Sequence, residues 1–75
     1  MLTVRTFARY RILLGFDDLQ WPLPSPPTLR TLLAEPRFQR LPKEALFAVN
    51  QRLADLDQPL NDQDEVAFLP PVSGG

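Results

Sequence analysis

The sequence ends in Gly74-Gly75, and the carboxylate of Gly75 is the group in this chain best suited to chemistry. Glycine has no Cβ, so its backbone can enter channels that are too narrow for any other residue. The pair closely follows an apolar stretch and two adjacent prolines, which stiffen the base of a thin tail. We therefore expect the terminus to work inside the active site of another protein.

The composition argues against catalysis by this chain alone. Its 75 residues include no cysteine and no histidine, which excludes thiolate nucleophiles and removes the commonest general base and zinc ligand. The net charge of -1 does not favour capture of nucleic acid or of an anionic membrane. No apolar run approaches the ~18 residues that span a bilayer, and no signal-peptide pattern is present. We expect a soluble, cytoplasmic protein that binds no metal and no cofactor of its own.

Two strands and a short helical turn are predicted in the first part of the chain. Residues 2–7 alternate in polarity, which predicts a strand with one buried side. Residues 8–14 predict a helical turn with a left-handed cap at Gly15. The apolar residues at helical spacing in this turn are Ala8, Ile12 and Leu13. Residues 19–23 alternate again, but Pro22 lacks an amide donor and places this strand at a sheet edge.

The main helix is predicted after the proline-rich segment. Thr28 is a suitable N-cap, and Pro36 limits the helix to about two turns. The helix carries Leu29, Leu32 and Leu33 on one face. A further short helical turn is predicted from Pro42 through Lys43 and Glu44.

The last part of the chain predicts three more strands. Residues 45–50 fit a buried strand, and Asn50-Gln51 offers a turn into a short strand at residues 52–54. A polar turn at residues 61–64 then precedes an alternating strand at residues 65–70.

This order of elements describes a small α+β domain in which a mixed sheet of about five strands packs on one main helix. The β-grasp, or ubiquitin-like, arrangement satisfies it and makes the first and last strands parallel neighbours. We therefore assign residues 1–70 to a β-grasp domain and residues 71–75 to an extended tail that leaves from the middle of the sheet.

Three blocks of sequence resemble the small, sulfur-carrying subunit of molybdopterin synthase. They are PLNDQDEVAFLPPVSGG at residues 59–75, FARYRILLG at residues 7–15 and AVNQ at residues 48–51. The blocks occur in the expected order and span nearly the whole chain. One departure is Gln63, which stands where the family usually has a glycine in a tight turn. Either glutamine adopts a costly backbone conformation there or the turn is of another type.

The resemblance implies that the carboxylate of Gly75 is adenylated by a separate ubiquitin-activating-like enzyme that uses ATP and Mg. A persulfide donor then supplies sulfur, and the C-terminal thiocarboxylate gives it to cyclic pyranopterin monophosphate on the large subunit. In this interpretation Gly75 carries the sulfur and Gly74 gives it access. A heterotetramer of two small and two large subunits is also implied.

Several residues are predicted to contact the partner. By strand parity, Phe7 and Leu69 lie opposite the faces that bear Val4 and Phe68, so we expect them to form an exposed apolar patch. The resemblance places Leu53 and Arg11 in the same contact. It also places the tail residues Pro70, Pro71, Val72 and Ser73 there.

Two alternatives remain open from the sequence. The chain could be a sulfur carrier for thiamine or cysteine synthesis, which shares the fold and the terminal glycines. It could also be a ubiquitin-like protein modifier, whose terminal glycine forms an isopeptide bond with a lysine.

Overall fold

The computed structural model describes residues 1–71, which form five strands, two short α-helices and one 3₁₀ turn. The strands are β1 (Leu2–Thr6), β2 (Asp18–Trp21), β3 (Leu46–Val49), β4 (Arg52–Leu53) and β5 (Glu65–Leu69). The helices are α1 (Arg9–Leu14) and α2 (Leu29–Leu33), and the 3₁₀ turn is Pro36–Phe38.

The five strands form one mixed sheet in the order β2-β1-β5-β3-β4. β1 and β5 are parallel, with Val4 opposite Val66, and the other neighbouring strands are antiparallel. The predicted parallel pairing of the first and last strands is therefore confirmed. β2 lies at one edge, as Pro22 predicts, and it ends at Trp21 directly before that proline. β5 lies in the centre of the sheet.

One face of the sheet forms the core. Leu2, Val4, Val66 and Phe68 are fully buried on it, in the alternation predicted for β1 and β5. Each such side chain contributes about 1.5–3 kcal/mol through removal of its apolar surface from water. α2 completes the core with its buried leucines, and it begins where predicted. The hydroxyl of Thr28 accepts a hydrogen bond from the amide of Thr31, 3.3 Å away.

The residues that α1 buries are not the apolar residues whose spacing predicted the helical turn. Tyr10 and Leu14 are buried, whereas Ile12 is 81% exposed and Leu13 is 39% exposed. Tyr10 and Leu14 are four residues apart and lie on one side of the helix, and the large aromatic ring takes the core position. The cap is as predicted, because Gly15 has a φ of 83° and its amide donates to the carbonyl of Arg11.

The helical turn predicted at Pro42 is wrong. The chain forms only a hydrogen-bonded turn there, in which the amide of Ala45 donates to the carbonyl of Pro42. The unpredicted 3₁₀ turn lies earlier, at Pro36–Phe38. Its cause is the burial of Phe38, whose ring packs edge to face against Trp21 at 4.9 Å and Phe68 at 5.4 Å. Trp21 is a packing residue at the sheet edge.

Two turns at the end of the sheet opposite the tail contain left-handed residues. Asn50 and Gln51 have φ of 51° and 68°, which closes the predicted β3-β4 hairpin. Gln63 has a φ of 74°, so the glutamine occupies the conformation that glycine adopts at lower cost. The amide of Gln63 donates to the carbonyl of Met1, and the carboxylate of Asp62 pairs with the N-terminal ammonium group. This ammonium group lowers the pKa of Asp62.

Candidate partner-binding site at the base of the tail

The segment that the sequence predicts as a tail follows the central strand. Leu69 pairs with Leu46 of β3, and Phe68 pairs with Thr6 of β1, so β5 is held from both sides up to its last residues. Pro70 and Pro71 have no amide hydrogen and cannot donate to either neighbouring strand, which ends the pairing. We call the segment from Leu69 to Pro71 the tail root. The predicted carrier residues Val72, Ser73, Gly74 and Gly75 lie outside the described residues.

A shallow depression of about 370 Å³ lies on the face of the sheet opposite the core. It brings together three residues that the sequence predicted as partner contacts: Phe7, Leu53 and Leu69. We call its lining the open-face patch. The lining consists of Arg5, Phe7, Ala48, Gln51, Leu53, Glu65, Ala67 and Leu69.

The open-face patch has an apolar surface because of strand alternation. Phe7 is 42% exposed and Leu53 is 74% exposed, while Leu69 is half-buried. Ala48 and Ala67 are paired across β3 and β5 and form a low floor between the larger side chains. A raised apolar rim around a low floor is suited to receive a partner's side chain.

Arg11 lies in a neighbouring depression of about 320 Å³ and not in the open-face patch. The two depressions share Arg5 and Phe7, so Phe7 stands between Arg11 and the rest of the patch. The Nε of Arg11 is 3.5 Å from Oδ1 of Asp17. A partner carboxylate that binds Arg11 would therefore share the guanidinium with Asp17.

The charges of the open-face patch are largely paired within the protein. The Nε of Arg5 lies 3.1 Å from Oδ1 of Asp18, and one of its terminal nitrogens lies 3.4 Å from Oε1 of Glu65. These pairs are partly exposed and stabilise the fold only weakly. They do neutralise the guanidinium of Arg5 beside Phe7, so that this cation is not free for a partner.

The sequence interpretation overlooked Ala48, Ala67 and Arg5 as members of this surface. The alternation of β3 and β5 is the signal that identifies the two alanines, since each follows a core-facing residue by one position. Arg5 lies two residues before Phe7 and opposite Ala67 of β5, which places it on the same face.

Candidate metal sites and membrane-spanning helices were sought among the described residues. Within residues 1–71 no group of three or more acidic, histidine or cysteine residues is placed to hold a metal ion. The same residues contain no helix that is long and apolar enough to cross a membrane.

Comparison with known proteins connects this geometry to a family. The ThiS family profile matches residues 4–75. The chain is 41% identical to the molybdopterin synthase sulfur carrier subunit of Escherichia coli, over the full length of both proteins. It is 37% identical to the subunit of the same name from Haemophilus influenzae, again over both full lengths.

Solved structures agree with these matches. A putative molybdopterin converting factor subunit 1 from Pyrococcus furiosus superposes with a TM-score of 0.83 at 31% identity, covering 95% of this chain and 97% of its own. A complex of subunits 1 and 2 of the molybdopterin-converting factor from Helicobacter pylori matches with a TM-score of 0.66 at 26% identity, covering 99% and 97%. The chain therefore belongs to the ThiS family and has the ubiquitin-like β-grasp fold, and its relatives include sulfur carrier subunits of molybdopterin synthase.

Proposed function

We propose that this protein is the sulfur carrier of a molybdopterin synthase, with the Gly75 carboxylate as the group that becomes a thiocarboxylate. The observation that carries the proposal is the position of the tail. The central strand β5 leads directly through Pro70 and Pro71 into a sequence that ends in Gly74-Gly75. The full-length similarity to sulfur carrier subunits supports it.

The chemistry begins with activation, because a carboxylate is a poor electrophile. An adenylating enzyme joins the Gly75 carboxylate to AMP from ATP and releases pyrophosphate, which makes the carbonyl a good acyl donor. The terminal sulfur of a protein persulfide then attacks this carbonyl and displaces AMP. A thiol reduces the resulting acyl disulfide and leaves the thiocarboxylate. Its sulfur is the nucleophile that is transferred to the pyranopterin on the large subunit.

In this sequence of reactions the chain supplies a tail that reaches the active sites of its partners and a surface to which they bind. The four residues after Pro71 extend at most about 14 Å at ~3.3–3.6 Å per residue. Both the activating enzyme and the large subunit must therefore approach close to the tail root. The open-face patch is the docking surface in this proposal, since Phe7, Leu53 and Leu69 are apolar and accessible. Leu53 and Leu69 lie on strands, and Phe7 directly follows β1.

Intact-mass measurement tests the proposal. The protein is incubated with the adenylating enzyme of the same organism, ATP, Mg²⁺ and a persulfide donor. Replacement of one oxygen by sulfur raises the mass by about 16 Da. A variant that lacks Gly75 is the matched control and should keep its mass. An unchanged mass of the complete chain with an enzyme that is active on ATP would contradict the proposal.

A second measurement distinguishes the pathways. The thiocarboxylated protein is mixed with the large subunit and cyclic pyranopterin monophosphate, and dithiolene formation is followed. Sulfur loading without transfer to the pterin would indicate a carrier for thiamine or cysteine synthesis. Conjugates to lysine that survive reducing denaturation would indicate a protein modifier.

A further inference from the structure

A second apolar surface lies on α1, outside the open-face patch. It is a groove of about 310 Å³ with an almost wholly apolar lining, and we call it the α1 groove. It is lined by Arg9, Tyr10, Ile12, Leu13 and Pro42. Two of these residues are the apolar side chains that α1 directs away from the core.

The α1 groove joins the two segments that flank the tail root. On one side, β1 continues through Phe7 into α1, where the amide of Tyr10 donates to the carbonyl of Phe7. On the other side, the turn from Pro42 to Ala45 leads into β3, whose first residue pairs with Leu69. Because β5 lies between β1 and β3, the groove is at the end of the sheet from which the tail leaves.

The fold does not need the exposed side chains of this groove. Tyr10 and Leu14 anchor α1 in the core, while Ile12 is 81% exposed and Leu13 is 39% exposed. An isoleucine at this exposure contributes little to the stability of the free protein. Together with Leu13 and Pro42 it forms a contiguous apolar area, which is typical of a protein contact.

The α1 groove also has an available positive charge. The guanidinium of Arg9 lies 5.4 Å from the ring centre of Tyr10, and it forms no ion pair with any residue of the range 1–71. Arg5 and Arg11, by contrast, are both paired with aspartates. A carboxylate on a partner would therefore bind Arg9 without competing with an internal acid.

The short tail places a partner against this surface. A protein that encloses Gly75 must lie within about 14 Å of Pro71, since four residues reach no farther. At that distance its surface meets the segments that flank the tail root, and α1 is one of them. The open-face patch includes Leu69 of the root, and the α1 groove lies at the same end of the sheet.

We propose that the α1 groove is a second docking surface for the large subunit, which inserts an aliphatic or aromatic side chain beside Ile12 and Leu13 and pairs a carboxylate with Arg9. This inference rests on the proposed function. The large subunit is favoured over the activating enzyme because lasting subunit interfaces are more apolar than transient ones. The large subunit then contacts both the open-face patch and the α1 groove.

The test measures binding of the large subunit to the complete chain by calorimetry. We expect Ile12→Glu to raise the Kd at least about tenfold and Arg9→Gln to raise it several-fold, as for central interface residues. Ile12→Leu should bind like the unsubstituted protein. Leu23→Glu is the matched control, because Leu23 is 40% exposed and follows β2 at the opposite end of the sheet. Glutamate forms helices at least as well as isoleucine, so the thermal midpoint of Ile12→Glu should stay unchanged.

The outcomes separate this inference from the proposed function. Failure of the unsubstituted protein to bind the large subunit overturns both. Normal binding by Ile12→Glu alongside the unsubstituted protein overturns only the α1 groove. Slower sulfur loading of Ile12→Glu with normal binding to the large subunit also overturns it, because the activating enzyme would then be the occupant. The same comparison is made in chains truncated after Pro71. The ratio of the Kd of Ile12→Glu to the Kd of the unsubstituted sequence should stay the same as in the complete chain. Loss of this difference would show that the groove holds the tail itself.

Discussion

The two faces of the sheet are built from the same strands but do different work. On the core face, Val66 and Phe68 of β5 are fully buried. On the open face, Phe7 and Leu53 remain 42% and 74% exposed, although they are as apolar as the core residues. The core face stabilises the fold, whereas the open face holds apolar side chains ready on a rigid support. The difference shows that exposure in the free protein, more than residue type, separates the core from the proposed docking surface.

The core face should give the largest effect on stability. Phe68→Ala removes a fully buried ring that contacts Phe38 at 5.4 Å and Phe47 at 5.7 Å between ring centres. We expect the free energy of unfolding to fall by about 3–5 kcal/mol, which is a large part of the roughly 5–15 kcal/mol typical of a domain. Urea denaturation measures it. Leu53→Ala is the matched control and should cost less than about 1 kcal/mol; equal losses would contradict the comparison.

Substitutions on the open face should weaken binding of the large subunit more than they lower stability. Leu53→Glu places a charge in the apolar open-face patch, so the Kd for the large subunit should rise about tenfold or more. The thermal midpoint should change by only a few degrees, because Leu53 is 74% exposed. Leu23→Glu makes the same change outside the patch and should bind normally. Unaltered binding by Leu53→Glu would remove the open face from the proposed function.

Substitution of Gln63 should change stability by a smaller amount, because this residue lies in a turn and on neither face of the sheet. Its φ of 74° costs a residue with a Cβ about 1–2 kcal/mol, and glycine removes this cost while it adds about 0.5–1 kcal/mol of chain entropy. Gln63→Gly should therefore stabilise the protein by about 0.5 kcal/mol, measured by thermal denaturation. Gln63→Val, which is β-branched, should destabilise it. A stabilising valine would show that the turn is not left-handed in solution.

The smallest effect concerns the N-terminal ion pair. The N-terminal ammonium group lowers the pKa of Asp62 below its ordinary value of 3.8. A carboxyl with a lowered pKa in the folded state stabilises the protein above its ordinary pKa, and this contribution disappears as the pH falls through the folded pKa. Melting temperatures of the parent protein and Asp62→Asn should therefore converge below about pH 3.8. The difference at neutral pH should shrink at high salt, because the pair is exposed. Melting curves that stay apart in acid would contradict this.

Local patterns predicted much of the fold. The alternation in β1 and β5 identified Leu2 and Val4 as core residues, and the side chain of Thr28 identified the start of α2. These features depend on neighbours within a few positions, so the sequence carries them directly. The apolar spacing of Ile12 and Leu13 indicated the helical turn, but a six-residue helix contains too few positions to define its buried face. The packing of Tyr10 decided it.

The candidate site was predictable only in part. Strand parity placed Phe7 and Leu69 on the face opposite Val4 and Phe68, and the resemblance added Leu53. Parity assigns a residue to one of two faces, but it does not say which residues of different strands are neighbours. The α1 groove had no local signal at all, since Pro42 lies far in sequence from Ile12 and Leu13.

By itself, the sequence determined the strands, the main helix, the absence of histidine and cysteine and the terminal Gly74-Gly75 pair on which the proposed function rests. The tertiary structure decided that β5 is central, that Phe7, Leu53 and Leu69 share one depression and that Ile12 faces solvent. The physical reason is that alternation, capping and turn chemistry act over a few residues. Strand order and side-chain packing depend on contacts between distant segments, which form only when the whole chain folds.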